Sequence, residues 1–216
     1  MDSRNESRRD EGGTEERILD AASRVFLRRG TAGARMSEIA EEADVNQALL
    51  HYYFSSKADL ARAVFRGAAR QLLPRVLQVL ISGATLDEKV RRVVEIEIEF
   101  LLQHPQLPGY ILSELSHHPE RADELFEALS GSPLGDVAPR VMNGLRAQID
   151  AAVEAGELRS IEPETFVVNL ISLCIFPFAA RPMVSAIAGL DDAGFEDMMR
   201  RRKRELPEFF LQGLRP

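Results

Sequence analysis

Gln47, His51, Tyr52 and Lys57 are the side chains in this sequence best suited to recognition chemistry. They sit in and beside a stretch, Val45 to Ser56, that contains no Asp or Glu although acids lie on both sides of it. A Gln amide pairs in bidentate fashion with adenine N6 and N7, whereas a phenol and an ammonium bind phosphates whatever the base sequence. Gln47 and His51 are therefore assigned to base edges, and Tyr52 and Lys57 to phosphates. A surface that meets a phosphate backbone needs a gap in negative charge, and this stretch provides one. Tyr52 keeps a second reading, as an aromatic packed into the core of a small domain.

Other reactive groupings have simpler explanations. His117 and His118 lie between Glu114 and Glu120, a set of metal-ligand types, but adjacent helical positions point about 100° apart and do not converge on one ion. Cys174 is the sole cysteine, so no internal disulfide forms, and in an apolar stretch it reads as a small core residue. A redox-active thiol would be exposed and near positive charge. The run Arg200 to Arg204 carries charge suited to nucleic acid or an anionic membrane. On a helix that also holds Met198, Met199 and Leu206 it reads as a solvated face. No Ser/His/Asp, Cys/His or metal-ligand arrangement is visible, so no catalytic residue, metal or cofactor is expected, and an enzyme is the least supported class.

The recognition residues need elements to hold them. Ile39, Ala40 and Ala43 mark one short helix, and after Asp44-Val45-Asn46 the residues Ala48, Leu49, Tyr52 and Tyr53 mark a second. Asp44 suits a left-handed turn position, and Asn46 suits the cap of the second helix. The pair is a helix-turn-helix, whose second helix enters the major groove with its N-terminal residues, here Gln47, Ala48 and His51, toward base edges.

From about Thr14 to Leu60 the chain resembles the N-terminal domain of the TetR family of bacterial repressors. Ile18-Leu19-x-Ala21-Ala22, Phe26, Gly30, Ile39-Ala40, Val45, Leu50-x-Tyr52-Tyr53-Phe54 and Lys57 carry the resemblance. Asp44 stands where the turn is usually Gly, Arg35 stands near a usual Thr or Ser, and Gln47-Ala48-Leu49 replaces a common Lys-Gly-Thr. The last two departures fall where an operator preference is written. The resemblance implies a homodimer that represses by occupying a pseudo-palindromic operator in double-stranded DNA and leaves it when a small molecule binds the C-terminal domain. It marks Arg35, Asn46, Gln47, Ala48, His51, Tyr52 and Lys57 as the DNA-binding set. The competing classes are an all-helical enzyme that shares only this N-terminus, and an interaction protein whose N-terminal domain no longer reads DNA.

The 216 residues are 45% apolar, enough for the core of one large or two small soluble domains. A formal charge of −7 is unusual for a nucleic-acid binder, so the local distribution carries more weight. Arg28, Arg29, Arg35 and Lys57 flank the acid-free helix, either as phosphate ligands or as ordinary solvated charges. The segment MDSRNESRRDEGG holds no apolar run that could act as a signal peptide. The longest apolar run, Phe166 to Ala180, contains Asn169, Ser172 and Pro177 and falls short of the ~20 residues of a membrane span. A cytoplasmic protein with no membrane partner is expected.

The expected architecture is all-α. Residues 1–13 are read as a disordered lead-in, 14–60 as the helix-turn-helix domain and 61–216 as an effector-binding and dimerisation domain. Thr14 caps a first helix that buries Ile18, Ala21, Ala22, Val25 and Phe26 and ends at Gly30. Ser56 caps a fourth helix, which Pro74 is predicted to kink or break. Further helices are predicted over Leu86 to Leu102, Leu107 to His118, Pro119 to Leu129, Val137 to Val153 and Pro163 to Ala180. A last one carries Phe195 to Leu214, with a kink at Pro207. The helix over 163–180 is apolar all round, and such a helix must be covered on more than one side. Phe166, Leu170, Leu173, Phe209 and Phe210 are therefore assigned to an isologous dimer interface, with Phe176 on the same helix.

Glu97 is the misplaced charge of the sequence. Projection of Leu86 to Leu102 puts it near the middle of the apolar face, with His104 two turns along the same line. A carboxylate there must be paired, hydrogen-bonded or protonated. Two readings stand: an interhelical salt bridge to Arg140 or Arg146, or a polar contact in an apolar effector cavity with Phe100, His104, Tyr110, Met142 and Phe176.

Overall fold

A computed structural model of the protein describes residues 3–117, 119, 122, 126, 127, 131 and 133–216. Among them every regular element is a helix, and the chain divides into two compact units, Met1–Ala68 and Ala69–Pro216.

In the first unit α1 (Ser3–Gly33) begins ahead of the Thr14 cap that the sequence predicts, so helical backbone runs through the expected lead-in. Gly30 interrupts it with φ 68° and ψ 162°. That region is open only to glycine, and it turns the chain between the long helix and the last residues before Ala34. α2 (Met36–Glu42) and α3 (Gln47–Tyr53) follow. Their buried residues Ile39, Ala40, Ala43, Leu50 and Phe54 close over Ile18, Ala21, Ala22, Val25 and Phe26. Polar contacts brace α1 against α2: Arg24 and Arg28 reach Glu42 at 2.8 and 2.7 Å, and Arg29 reaches Glu38 at 3.4 Å. The two guanidiniums hold the Glu42 carboxyl below its ordinary pKa.

α4 (Lys57–Ile81) begins in the first unit and ends in the second. It runs through Pro74 without a break, and the proline ring is exposed.

The second unit contains α5 (Leu86–Gln103), α6 (Leu107–His117), α7 (Leu134–Glu154), α8 (Pro163–Ala179), α9 (Arg181–Ala188) and α10 (Asp192–Gln212). α5 opens on a full capping box between Thr85 and Glu88 and is packed by α7, α8 and α10. The i+4 stripe Val137, Val141, Leu145 and Ile149 of α7 is buried, as its spacing predicts. α9 is an addition to the expected elements. Pro182 in its first turn and the left-handed Gly189 at its end (φ 64°, ψ 38°) delimit it, and it leaves α8 at a bend of 77°. α10 passes through Pro207 without a break. Most of the helix predicted over Pro119 to Leu129, and His118 of the histidine pair, fall outside the described residues.

The packing of α8 corrects the expected interface. Phe166, Leu170, Cys174 and Phe178 form one buried stripe at i+4 spacing. Phe166 meets Phe210 edge-on at 5.1 Å, and Phe178 meets Phe195 at 5.6 Å. Phe166, Leu170 and Phe210 are thus buried in the protomer's own core, with Phe210 also at the wall of the groove beside Phe209. The opposite side keeps Val168, Phe176 and, from α10, Phe209 exposed.

Candidate nucleic-acid interface and effector site

The turn between α2 and α3 is set by its own residues. Asp44, at φ 53°, is the one non-glycine with positive φ among the described residues. Its N–H donates to the carbonyl of Glu41 at 3.1 Å, and that of Val45 to Ala40 at 3.0 Å. This is a Schellman closure with Asp in the left-handed position that glycine commonly fills. Asn46 then caps α3, its Oδ1 accepting from the N–H of Leu49 at 2.7 Å.

The turn aims one face of α3 outward. Leu50 is buried, whereas Gln47, Ala48 and His51 are exposed and Tyr52 is 76% exposed. The Tyr52 ring stands edge-on to Tyr53 at 5.3 Å, so the reading of Tyr52 as a core aromatic is set aside. Arg35, the residue before α2, is exposed and makes no side-chain cap bond. Lys57 is differently placed from its phosphate assignment. Its Nζ donates to the carbonyls of Ala32 and Ala34, both at 3.0 Å, and ties the start of α4 to the end of α1 and the residue just beyond it. Arg28 and Arg29 are likewise held by Glu42 and Glu38. Ser56 caps α4 through Asp59, whose N–H donates to Ser56 Oγ at 3.1 Å. Hydrogen bonds from Ser55 and Ser56 hold the Asp59 carboxyl below its usual pKa.

In the second unit Glu97 is 2% exposed, and its Oε2 has no hydrogen-bond partner. The Cys174 thiol is bonded to the same carboxyl. Burial pushes Glu97 up to about 8 and also raises the Cys174 thiol, so near neutral pH both are protonated. Among the described residues the ion pair of the first reading is not formed: Arg146 goes to Glu162 at 3.0 Å and Glu164 at 3.5 Å, and Arg140 is exposed. Phe100 is buried, with its ring 4.4 Å from that of His104, whose pKa is lowered by burial. Met142 is half-buried on α7. Phe176, assigned to the same cavity, is instead 54% exposed. It lines an open groove of about 710 Å³ with Asn169, Ser172, Leu173 and Phe209. The Tyr110 side chain falls outside the described residues. Among the described residues no group of three or more His, Cys, Asp or Glu could hold a metal, and no single helix is long and apolar enough to cross a membrane.

Two residues escaped the sequence reading. Lys89 is buried on the same i+4 line as Val93 and Glu97, so the projection that singled out Glu97 contains it too. Arg202 belongs to the cationic run but points inward, to the backbone of α8. Nothing in its local sequence distinguishes it from its neighbours.

The model of bacterial regulatory proteins of the tetR family matches residues 18–64, and that of the tetracyclin repressor-like C-terminal domain matches residues 87–206. The chain belongs to the TetR family. This TetR-family protein is 24% identical over 186 residues to the HTH-type transcriptional repressor NicS of Pseudomonas putida, covering 82% of each chain. It is 26% identical over 211 residues to the regulator RutR of Escherichia coli, covering 92% of this chain and 89% of that one. Its fold is similar to that of the ketosteroid transcriptional regulator KstR2 of Mycobacterium tuberculosis, with a TM-score of 0.61 at 14% identity over 94% of this chain and 95% of that one. The TetR-family assignment makes α2 and α3 the helix-turn-helix of a DNA-binding transcription regulator, and α5 to α10 its C-terminal helical domain.

Proposed function

We propose that this TetR-family regulator is a cytoplasmic homodimeric repressor that holds a pseudo-palindromic operator through α3 and releases it when a mostly hydrophobic small molecule binds its C-terminal domain. The observation that carries the DNA reading is the outward face of α3: Gln47, Ala48, His51 and Tyr52 exposed together on a helix without an acid. Gln47 and His51 read base edges, Tyr52 and Arg35 contact phosphates, and Asn46 and Lys57 fix the frame that presents them.

Glu97 supports the effector reading, because a carboxyl buried with an unpartnered oxygen in an apolar interior suits a site meant for a ligand. A basic amine on the effector would take the proton and, as the resulting ammonium, pair with the carboxylate, and a neutral polar group would meet the acid as a hydrogen-bond partner. Phe100, His104 and Met142 are the apolar and aromatic company proposed for it. Binding shifts the equilibrium only if the releasing conformation is bound more tightly.

An electrophoretic mobility assay on the DNA upstream of the protein's own gene, against random duplex of equal length, tests this reading. A shift at concentrations where random duplex stays free is expected. Equal affinity for both would leave an interaction protein as the better account.

A further inference from the structure

Lys89 lies in the second turn of α5 with 1% of its surface exposed. Its Nζ donates to Gln148 Oε1 at 2.8 Å, and the Gln148 amide is held in that orientation because Nε2 donates to the carbonyl of Ala84 at 2.8 Å. An ammonium carries three donors, and here the partner is a neutral amide. Among the described residues no carboxylate lies within ion-pair distance of Lys89. A buried charge without a counter-ion is costly.

Gln148, but not Lys89 behind it, is in the wall of a cleft of about 690 Å³, within the size range of small-molecule sites, so the ammonium is reached only where the Gln148 amide gives way. Leu86, Ala151, Ala152, Leu158 and Leu211 make the rest of that wall largely aliphatic, and Arg215 lines it as well. Two carboxylates face the same space. Asp87 is already bound by Arg91 at 2.6 and 3.1 Å, while Glu157 has no such partner among the described residues and repels a second negative charge.

We infer that this cleft binds an amphipathic monoanion, a single carboxylate on an aliphatic chain, with the carboxylate taking the place of the Gln148 amide beside Lys89 and the chain lying along Leu86, Ala151 and Leu211. The site is separate from Glu97 and stands whether or not Glu97 meets an effector. Asp87 and Glu157 select against a dianion, and the aliphatic wall against a small hydrophilic one.

Calorimetric titration of the full chain with octanoate, 1-octanol and octyl phosphate tests the site. Octanoate is expected to bind, and the alcohol and the dianion to bind weaker by about tenfold or more. Gln148→Glu supplies an internal counter-ion at Lys89, and it should fold and lose octanoate binding by a similar factor. Lys89→Met should lose it as well, and if that variant does not fold, Gln148→Glu alone decides. Glu97→Gln should leave octanoate binding unchanged, which separates this site from the proposed effector site. Failure of octanoate to bind, equal binding of octanol, or undiminished binding by Gln148→Glu would each overturn the inference.

Discussion

Arg202 donates two hydrogen bonds to the carbonyl of Leu173, from Nε at 3.2 Å and from Nη2 at 3.0 Å. The reason lies four residues on. Pro177 has no N–H to give to Leu173, so α8 carries an orphaned carbonyl in its interior, and a guanidinium from α10 replaces the missing amide. Arg202→Ala should destabilise the protein by about 1–3 kcal/mol in urea unfolding. Pro177→Ala, which restores the backbone donor, should reduce that loss in the double variant. Additive losses would mean that Arg202 acts elsewhere.

Glu97 makes stability depend on pH with a definite sign. Its folded-state pKa, about 8, lies above the ordinary value of 4.5, so the folded chain holds a proton that the unfolded chain has released. The contribution is complete below about 4.5 and is lost as pH rises to about 8, by at most ~1.4 kcal/mol per pH unit. Denaturant unfolding from pH 5 to 9 should show the wild type losing stability across this window, and Glu97→Gln should flatten the decline. An unchanged slope in the variant would assign it to other groups.

The exposed side of α8 and α10 is the face expected to carry the proposed self-association. Phe176→Glu with Phe209→Glu should give monomers in sedimentation while leaving thermal unfolding cooperative, since both rings face solvent in the protomer. Phe166→Glu should instead abolish folding, because it places a charge in a closed core. A dimer that survives the double substitution would put the interface on another face.

At α3, Gln47→Ala should cost roughly 1–3 kcal/mol on the operator and little on random duplex, whereas Arg35→Ala should weaken both alike and flatten the salt dependence. Anisotropy titrations at two salt concentrations distinguish the two. Equal losses on both duplexes for Gln47→Ala would remove it from the base-reading set.

What the sequence made legible is what local chemistry decides. Asp44 and Asn46 form the turn with neighbours at most five residues away, and the burial of Glu97 follows from the phase of a single helix. Contacts between helices were out of reach. Lys57 reads as a free cation until Ala32 and Ala34 are seen to hold it, and Phe166 and Leu170 read as interface until Phe210 and the neighbouring helices cover them. The division of α8 from α9 was hidden because the apolar composition continues through Met183, Val184 and Ile187, and only a bend reveals the boundary.

The acid-free face of α3 belongs to a chain with a formal charge of −7. The net charge opposes the approach of a duplex once the two come within a Debye length, about 8–10 Å in physiological salt, and the acid-free face is where that repulsion is weakest. Encounter is then selective in orientation: a molecule that arrives with its acidic flank forward is turned away before it touches. Added salt relaxes this repulsion while it weakens the close attraction. The rate of association is thereby buffered against ionic strength, and the salt response is carried mainly by the lifetime of the complex.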